Sequence, residues 1–191
     1  MRWTIFTFVL CLSLAACKPR NVSPQENIAI QAANPGTHSN VLTRIAFGSC
    51  AEQDKPQPIL DAVIREKPDL FIYLGDNVYA DTEDMVKLQS AYNELAERPE
   101  FQRLRTAMPI LATWDDHDFG TNDIGRYYKF KKESKEIFLK FWREPKESSR
   151  WRHEGIYHSE YFGEGDQRVQ VILLDTRTFR DDLMLNDDKK Q

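Results

Sequence analysis

Thr113-Trp-Asp-Asp-His-Asp118 places three carboxylates and an imidazole in six consecutive residues, directly after the apolar run Met108-Pro-Ile-Leu-Ala112. Two unit charges about 4 Å apart repel by roughly 4 kcal/mol at an effective dielectric near 20. That is a large part of the roughly 5–15 kcal/mol that holds a whole domain together. Such a cluster must be splayed into water or gathered around something positive. Two other short segments carry reactive groups in the same kind of place. Phe47-Gly-Ser-Cys50 ends in a thiol, and Gly75-Asp-Asn-Val-Tyr79 carries a carboxylate and a phenol. Carboxylate, phenolate and imidazole suit hard or borderline cations, and a thiolate adds a softer donor. The chemistry expected of the set is that of a di- or trivalent metal site, and Tyr79 as a phenolate ligand would favour ferric iron.

For these segments to meet, the elements between them must bring them to one edge. Val41 to Phe47 alternates like a strand and runs into Gly48-Ser49-Cys50. Leu60, Val63 and Ile64 predict a short helix that stops at Pro68. Leu70 to Leu74 is a continuous apolar run, as in a strand covered on both faces. Met85, Leu88, Tyr92 and Leu95 fall at helical spacing, with Asp81 and Thr82 as expected caps. Pro109 to Ala112 is a third strand. Ile137, Phe138, Phe141 and Trp142 mark another helix, and Ile156–Phe162 with Val169–Leu174 reads as a hairpin. Strand–helix alternation of this kind implies an α/β fold with a parallel sheet and right-handed crossovers. Ligand sites in such sheets gather at the carboxyl ends of the strands, which is where Cys50, Asp76 and Asp115-Asp-His117 stand.

Each of these residues also has a structural role open to it. Cys50 can be a small buried hydrophobe, Asp76 and Asn122 turn formers, Tyr79 a core residue and His117 a structural hydrogen-bonder. Asp115 and Asp118 can be solvated or cap the next element. Asp175 and Arg177 fit a structural ion pair as well as a site. Lys129-Phe-Lys-Lys132 and Arg150-Trp-Arg-His153 interleave cations with aromatics. That pattern suits nucleotides or anionic head groups, although a solvated helix face with a buried aromatic side is the simpler expectation.

Composition sets the outer limits. A chain of 191 residues, 41% hydrophobic and 29% charged, can bury one ordinary core. Its formal charge of −4 gives no global attraction to nucleic acid, so no nucleic-acid partner is expected and any affinity for polyanions must be local. Met1-Arg2 followed by uncharged, mostly apolar Trp3–Ala16 has the pattern of a signal peptide. Those 14 residues would span about 21 Å as a helix, short of the roughly 30 Å hydrocarbon core of a bilayer. Leu14-Ala-Ala-Cys17 resembles a bacterial lipoprotein cleavage box, which implies lipidation of Cys17 and anchoring of an exported protein to the cell envelope. Lys18 after the cysteine points to the outer membrane in a diderm cell. Residues 1–16 are thus read as a signal peptide, 17–40 as the lipidated cysteine with a polar tether, and 41–191 as the domain. Cys50 is then the one free thiol of the mature chain.

Taken in order, Phe47-Gly-Ser-Cys50, Tyr73-Leu-Gly-Asp-Asn-Val-Tyr-Ala-Asp81, Ala112-Thr-Trp-Asp-Asp-His-Asp118 with Asn122-Asp123, and Val169–Arg177 resemble the metallophosphatase domain of alkaline phosphatase D (PhoD-like) enzymes. The resemblance implies a metallophosphatase-like layered sandwich, with a mostly parallel sheet flanked by helices. It implies hydrolysis of phosphomonoesters or phosphodiesters outside the cytoplasm, on a small molecule, phospholipid or polymer, with iron and calcium as cofactors. It assigns Cys50, Asp76, Tyr79 and Asp115 to metal. Asp116 would orient a ligand or water, His117 would serve the leaving group, and Asn122 would position phosphate. Members of that family run on well past the equivalent of Arg180, so the resemblance implies that only the N-terminal half of the fold is present and that further ligands lie beyond it. The alternative expectation is a non-catalytic, truncated surface lipoprotein that keeps the half-fold as a binding module. The sequence does not set the oligomeric state.

Overall fold

The computed structural model describes residues 36–182. The expected signal peptide 1–16, Cys17 and most of the stretch 17–40 lie outside the described residues. What is described is a mixed α/β fold with six strands: β1 (Gly36–His38), β2 (Ile45–Gly48), β3 (Leu70–Tyr73), β4 (Ile110–Ala112), β5 (His158–Phe162) and β6 (Val169–Leu173). Five helices accompany them: α1 (Ile59–Arg65), α2 (Met85–Glu97), α3 (Pro99–Ala107), α4 (Asp116–Phe119) and α5 (Lys131–Phe141).

The strands form two sheets rather than one. β2, β3 and β4 make an all-parallel sheet in that order, whereas β5 pairs antiparallel with β6 and parallel with β1. β1 falls inside the stretch read as tether, where Gly36-Thr-His38 offers no hydrophobic period to announce a strand.

The central strand β3 explains why its sequence is apolar without interruption. Successive side chains point to opposite faces of a strand. Leu70 and Ile72 therefore meet Leu42, Phe162 and Leu173 between the two sheets, while Phe71 and Tyr73 meet the helices. The helical layer holds the larger core, with Leu88, Tyr92, Leu95, Phe101, Leu104, Trp114, Phe119, Phe138 and Leu139 fully buried.

Two helical features differ from expectation. The cap of α2 is neither Asp81 nor Thr82 but Asp84, whose carboxylate accepts the Val86 N–H at 2.8 Å. Thr82 instead accepts the Asp84 N–H through its hydroxyl, at 3.0 Å. A second helix, which the spacing did not announce, also follows α2 at once. Arg98 is extended, and Pro99 opens α3 at a position where its missing N–H costs nothing.

Candidate metal centre

The sheet register decides which groups meet. Gly48, Tyr73 and Ala112 pair along one row, so the three parallel strands end together. Beyond that row, Leu74 N–H bonds Gly48 O at 2.8 Å and Thr113 N–H bonds Tyr73 O at 2.9 Å. Cys50 N–H then reaches Gly75 O at 3.2 Å, and Ala51 N–H reaches Asp76 O at 2.8 Å. Gly75 has to be glycine. Its φ is +113°, and a Cβ there would stand 2.7 Å from Asp115 Cβ and 2.8 Å from Asp115 N. The close approach brings the Asp76 loop against the acidic segment.

Asp76, Asp116 and His117 each offer one ligand atom within 4.8 Å of the others. Cys50 Sγ stands 3.7 Å from Asp76 Oδ2. Asp76 is nearly buried, and its Oδ1 has no hydrogen-bond partner. Desolvation, together with the Asp115 and Asp116 charges, pushes its carboxyl above the ordinary value. A buried acceptor with no donor costs about 1–3 kcal/mol, more when charged. An oxygen left bare beside a second carboxylate, an imidazole and a thiol fits a cation ligand.

His117 Nδ1 lies 2.7 and 2.8 Å from the two Asp81 oxygens. An ionised carboxylate only accepts, so Nδ1 carries the proton and Nε2 is left free. Burial alone would lower the His117 pKa, but the Asp81 hydrogen bond and the surrounding carboxylates raise it. Backbone bonds from Ala80 and Asp81 to the His117 carbonyl fix the same pairing. Tyr79 packs against the His117 ring, tilted at 36° with the ring centroids 4.4 Å apart. Its hydroxyl lies beside Cys50. Burial, the Cys50 hydrogen bond and the Asp76 charge raise its pKa well above the usual phenol value, so the phenol keeps its proton unless a cation displaces it.

The three carboxylates of the acidic segment have separate tasks. Asp116 is buried, accepts the Asp123 N–H at 2.6 Å on Oδ2, and receives Arg177 Nη2 at 3.0 Å on Oδ1. Burial would raise its pKa, but the Asp123 amide and Arg177 outweigh burial and lower it. Asp115, expected as a metal ligand, is held by Arg177 Nε and forms a capping box with Asp118 at the start of α4. Asp116 instead joins Asp76 and His117.

Asp118 is fully buried and works as a knot. It accepts Asp115 N–H at 2.7 Å and Asn77 N–H at 3.1 Å, and it also meets the Asn77 amide and the Tyr92 hydroxyl. Burial pushes its carboxyl up to about 8, against those donors. The Asn77 amide also donates to Thr113 O at 2.8 Å, so Asn77 and Asp118 bind the β3 end to the β4 end. Asn122 is exposed and donates to Asp123 Oδ2 at 3.1 Å, next to the residue whose amide holds Asp116.

Arg177 does not pair with Asp175. Asp175 gathers the N–H groups of Ile156, Arg177 and Thr178 and the Trp114 indole, which leaves Arg177 to clamp the cluster. Neither that clamp nor the Asp81–His117 pair was expected. Asp81 stood in the quoted segment as a helix cap, and its position facing His117 depends on a loop closure that spacing does not show.

Backbone strain collects here as well. Cys50, Asp76, Asp81 and Asp123 all have positive φ, between 43° and 60°. The left-handed conformation costs a non-glycine residue about 1–2 kcal/mol, and strain of this kind concentrates at functional sites.

No protein-family model matches this chain, and no curated protein matches it. Among solved structures, one titled "Structure of PhoD" superposes with a TM-score of 0.60 at 18% identity, covering 78% of this chain and 34% of that one. The chain therefore has a PhoD-like fold, and it spans about a third of that neighbour's length.

Proposed function

We propose that this strand-end cluster binds metal and that the chain belongs to a phosphoester hydrolase, with Asp76, Asp116 and Cys50 as ligands, Tyr79 as a further one, and His117 beside them as the proton donor. The bare Asp76 Oδ1 inside a convergent donor set carries this reading. The PhoD-like fold supports it, as does the position of the cluster just beyond the parallel strand ends. Iron suits the thiolate and phenol donors, and calcium suits the carboxylate oxygens. A bound metal would supply Lewis acidity toward a phosphoryl oxygen and toward water.

The remaining work falls to the chain's own residues. Arg177 takes up charge on Asp115 and Asp116, and it helps hold the Asp116 carboxyl below its ordinary value. Asp81 holds His117 through Nδ1–H, which leaves Nε2 free of that pair. In the imidazolium form, which the raised His117 pKa favours, Nε2 can pass a proton to the leaving oxygen of the ester. Asn122, exposed beside Asp123, would steady the phosphate. An exported, lipid-anchored location through Cys17 belongs to the same proposal, as does a phosphoester of a small molecule, phospholipid or polymer.

Asp76→Asn tests the reading. Assayed on p-nitrophenyl phosphate and bis(p-nitrophenyl) phosphate across a panel of metals, it should lose activity by about 100-fold or more, the upper range for disturbed metal sites. Wild-type rates from the variant, at wild-type metal content, would end the proposal.

A further inference from the structure

The two cationic, aromatic segments of the sequence converge. Lys129, Lys131, Lys132 and Lys135 come from the start of α5, and Trp151, Arg152 and His153 from the loop facing it. Together they line a cleft of about 400 Å³. Trp114 forms part of its wall, but the metal-site side chains do not line it. In a chain with a formal charge of −4, this concentration of cations is local.

The lysines are placed against their own stability. A helix N-terminus carries positive partial charge, so cations there are disfavoured. Phe130 caps α5 without a side-chain acceptor, so no cap relieves its first N–H groups. Lys129 is paired with Glu83 and Lys131 with Glu154. Among the described residues, Lys132, Lys135 and Arg152 have no carboxylate partner. The Lys135 ammonium donates to the His153 carbonyl, which fixes its direction. His153 Nδ1 bonds the Glu154 carbonyl at 2.9 Å, and the buried Nε2 has no partner.

A tetrahedral oxyanion answers the cations that lack a carboxylate partner and the uncapped helix start. It would accept from the lysines, the guanidinium and the free helix N–H groups, as anions do at helix starts. We propose that this cleft binds a phosphate-class oxyanion through Lys132, Lys135 and Arg152, at a site separate from the metal centre.

The test uses the full chain after chelator treatment, so that neither metal nor activity contributes. Inorganic phosphate and glycerol 3-phosphate are titrated separately at constant ionic strength, following tryptophan fluorescence and the amide NMR shifts of residues 131–133. Binding should saturate with Kd near or below about 1 mM. Lys135→Gln/Arg152→Gln should weaken it about tenfold or more, as loss of charge-assisted bonds does, while Lys87→Gln should leave it unchanged. Should the double variant lose its circular dichroism, Lys132→Gln alone takes its place. Tighter binding of glycerol 3-phosphate assigns the cleft to esterified phosphoryl groups, and tighter binding of inorganic phosphate assigns it to the free ion. Non-saturable titration, or equal affinity in a folded cleft variant, would overturn the site.

Discussion

Arg177→Gln should make stability depend on metal more steeply than it does in the wild type. Arg177 Nη2 sits 3.0 Å from Asp116 Oδ1, and Nε binds Asp115. The Arg177 and Asp116 side chains are 13% and 8% exposed, so solvent screens that pair little; Asp115, at 35%, is screened more. A pair at this range is worth roughly 4 kcal/mol at an effective dielectric near 20. Desolvation of the guanidinium, whose Nη1 is buried without a partner, offsets part of it. The net loss in metal-free protein should be about 2–3 kcal/mol, or a fall of about 5–10 °C in Tm for a domain of this size. A cation bound by Asp76 and Asp116 would take over the same neutralisation, so the loss with metal should shrink to about 1 kcal/mol. By linkage, the variant should bind metal about tenfold more tightly. The assay is thermal unfolding of both proteins in chelator and in saturating divalent cation. An identical loss in the two buffers would refute the claim that Arg177 and a metal compete for one set of carboxylates.

Asp69 accepts Thr43 N–H at 2.7 Å, the Thr43 hydroxyl at 2.8 Å and Arg44 N–H at 2.9 Å, and these bonds lower its pKa. Its contribution to stability is therefore present above the unfolded carboxyl value near 3.9 and is lost as pH falls through the lower folded value. Asp69→Asn should flatten that part of the urea-unfolding profile below about pH 4, and an unchanged acid slope would count against it. At Gly125, an added Cβ would lie 2.4 Å from the Arg180 carbonyl oxygen, which also accepts Arg126 N–H at 2.8 Å. Gly125→Ala should cost about 1–3 kcal/mol by forcing that contact apart. It should also loosen the segment that carries Arg177. An unaltered Tm would contradict this packing.

The sequence showed what depends on nearest neighbours along the chain. The unbroken Leu70–Leu74 run announced a strand covered on both faces, and Ile156–Phe162 with Val169–Leu174 announced the β5–β6 hairpin. Strand ends are also local, so Cys50, Asp76 and Asp115-Asp-His117 could be placed on one edge from the sequence alone. Division into two sheets was not legible, because pairing of β1 with β5 joins residues more than 100 positions apart. The Arg177 clamp spans 62 positions, and the Asp81–His117 pair spans 36. A cap is chosen by backbone geometry among several acids, which is why Asp84 rather than Asp81 serves α2 and Asp81 is free for the imidazole. Asp118 read as a solvated or capping acid; it does close the capping box of α4, but it is also the buried knot between two strand ends, where three donors from Asn77 and Tyr92 join the Asp115 N–H.

Metal content most directly tests the centre itself. Purified full chain, Asp76→Asn and Cys50→Ser would be dialysed against a panel of iron, calcium, zinc and manganese and analysed by mass spectrometry for bound element. The geometry predicts stoichiometric metal on the wild type, a sharp loss on Asp76→Asn and weakened retention on Cys50→Ser. Folded wild-type protein that retains no ion from any of these solutions would contradict it.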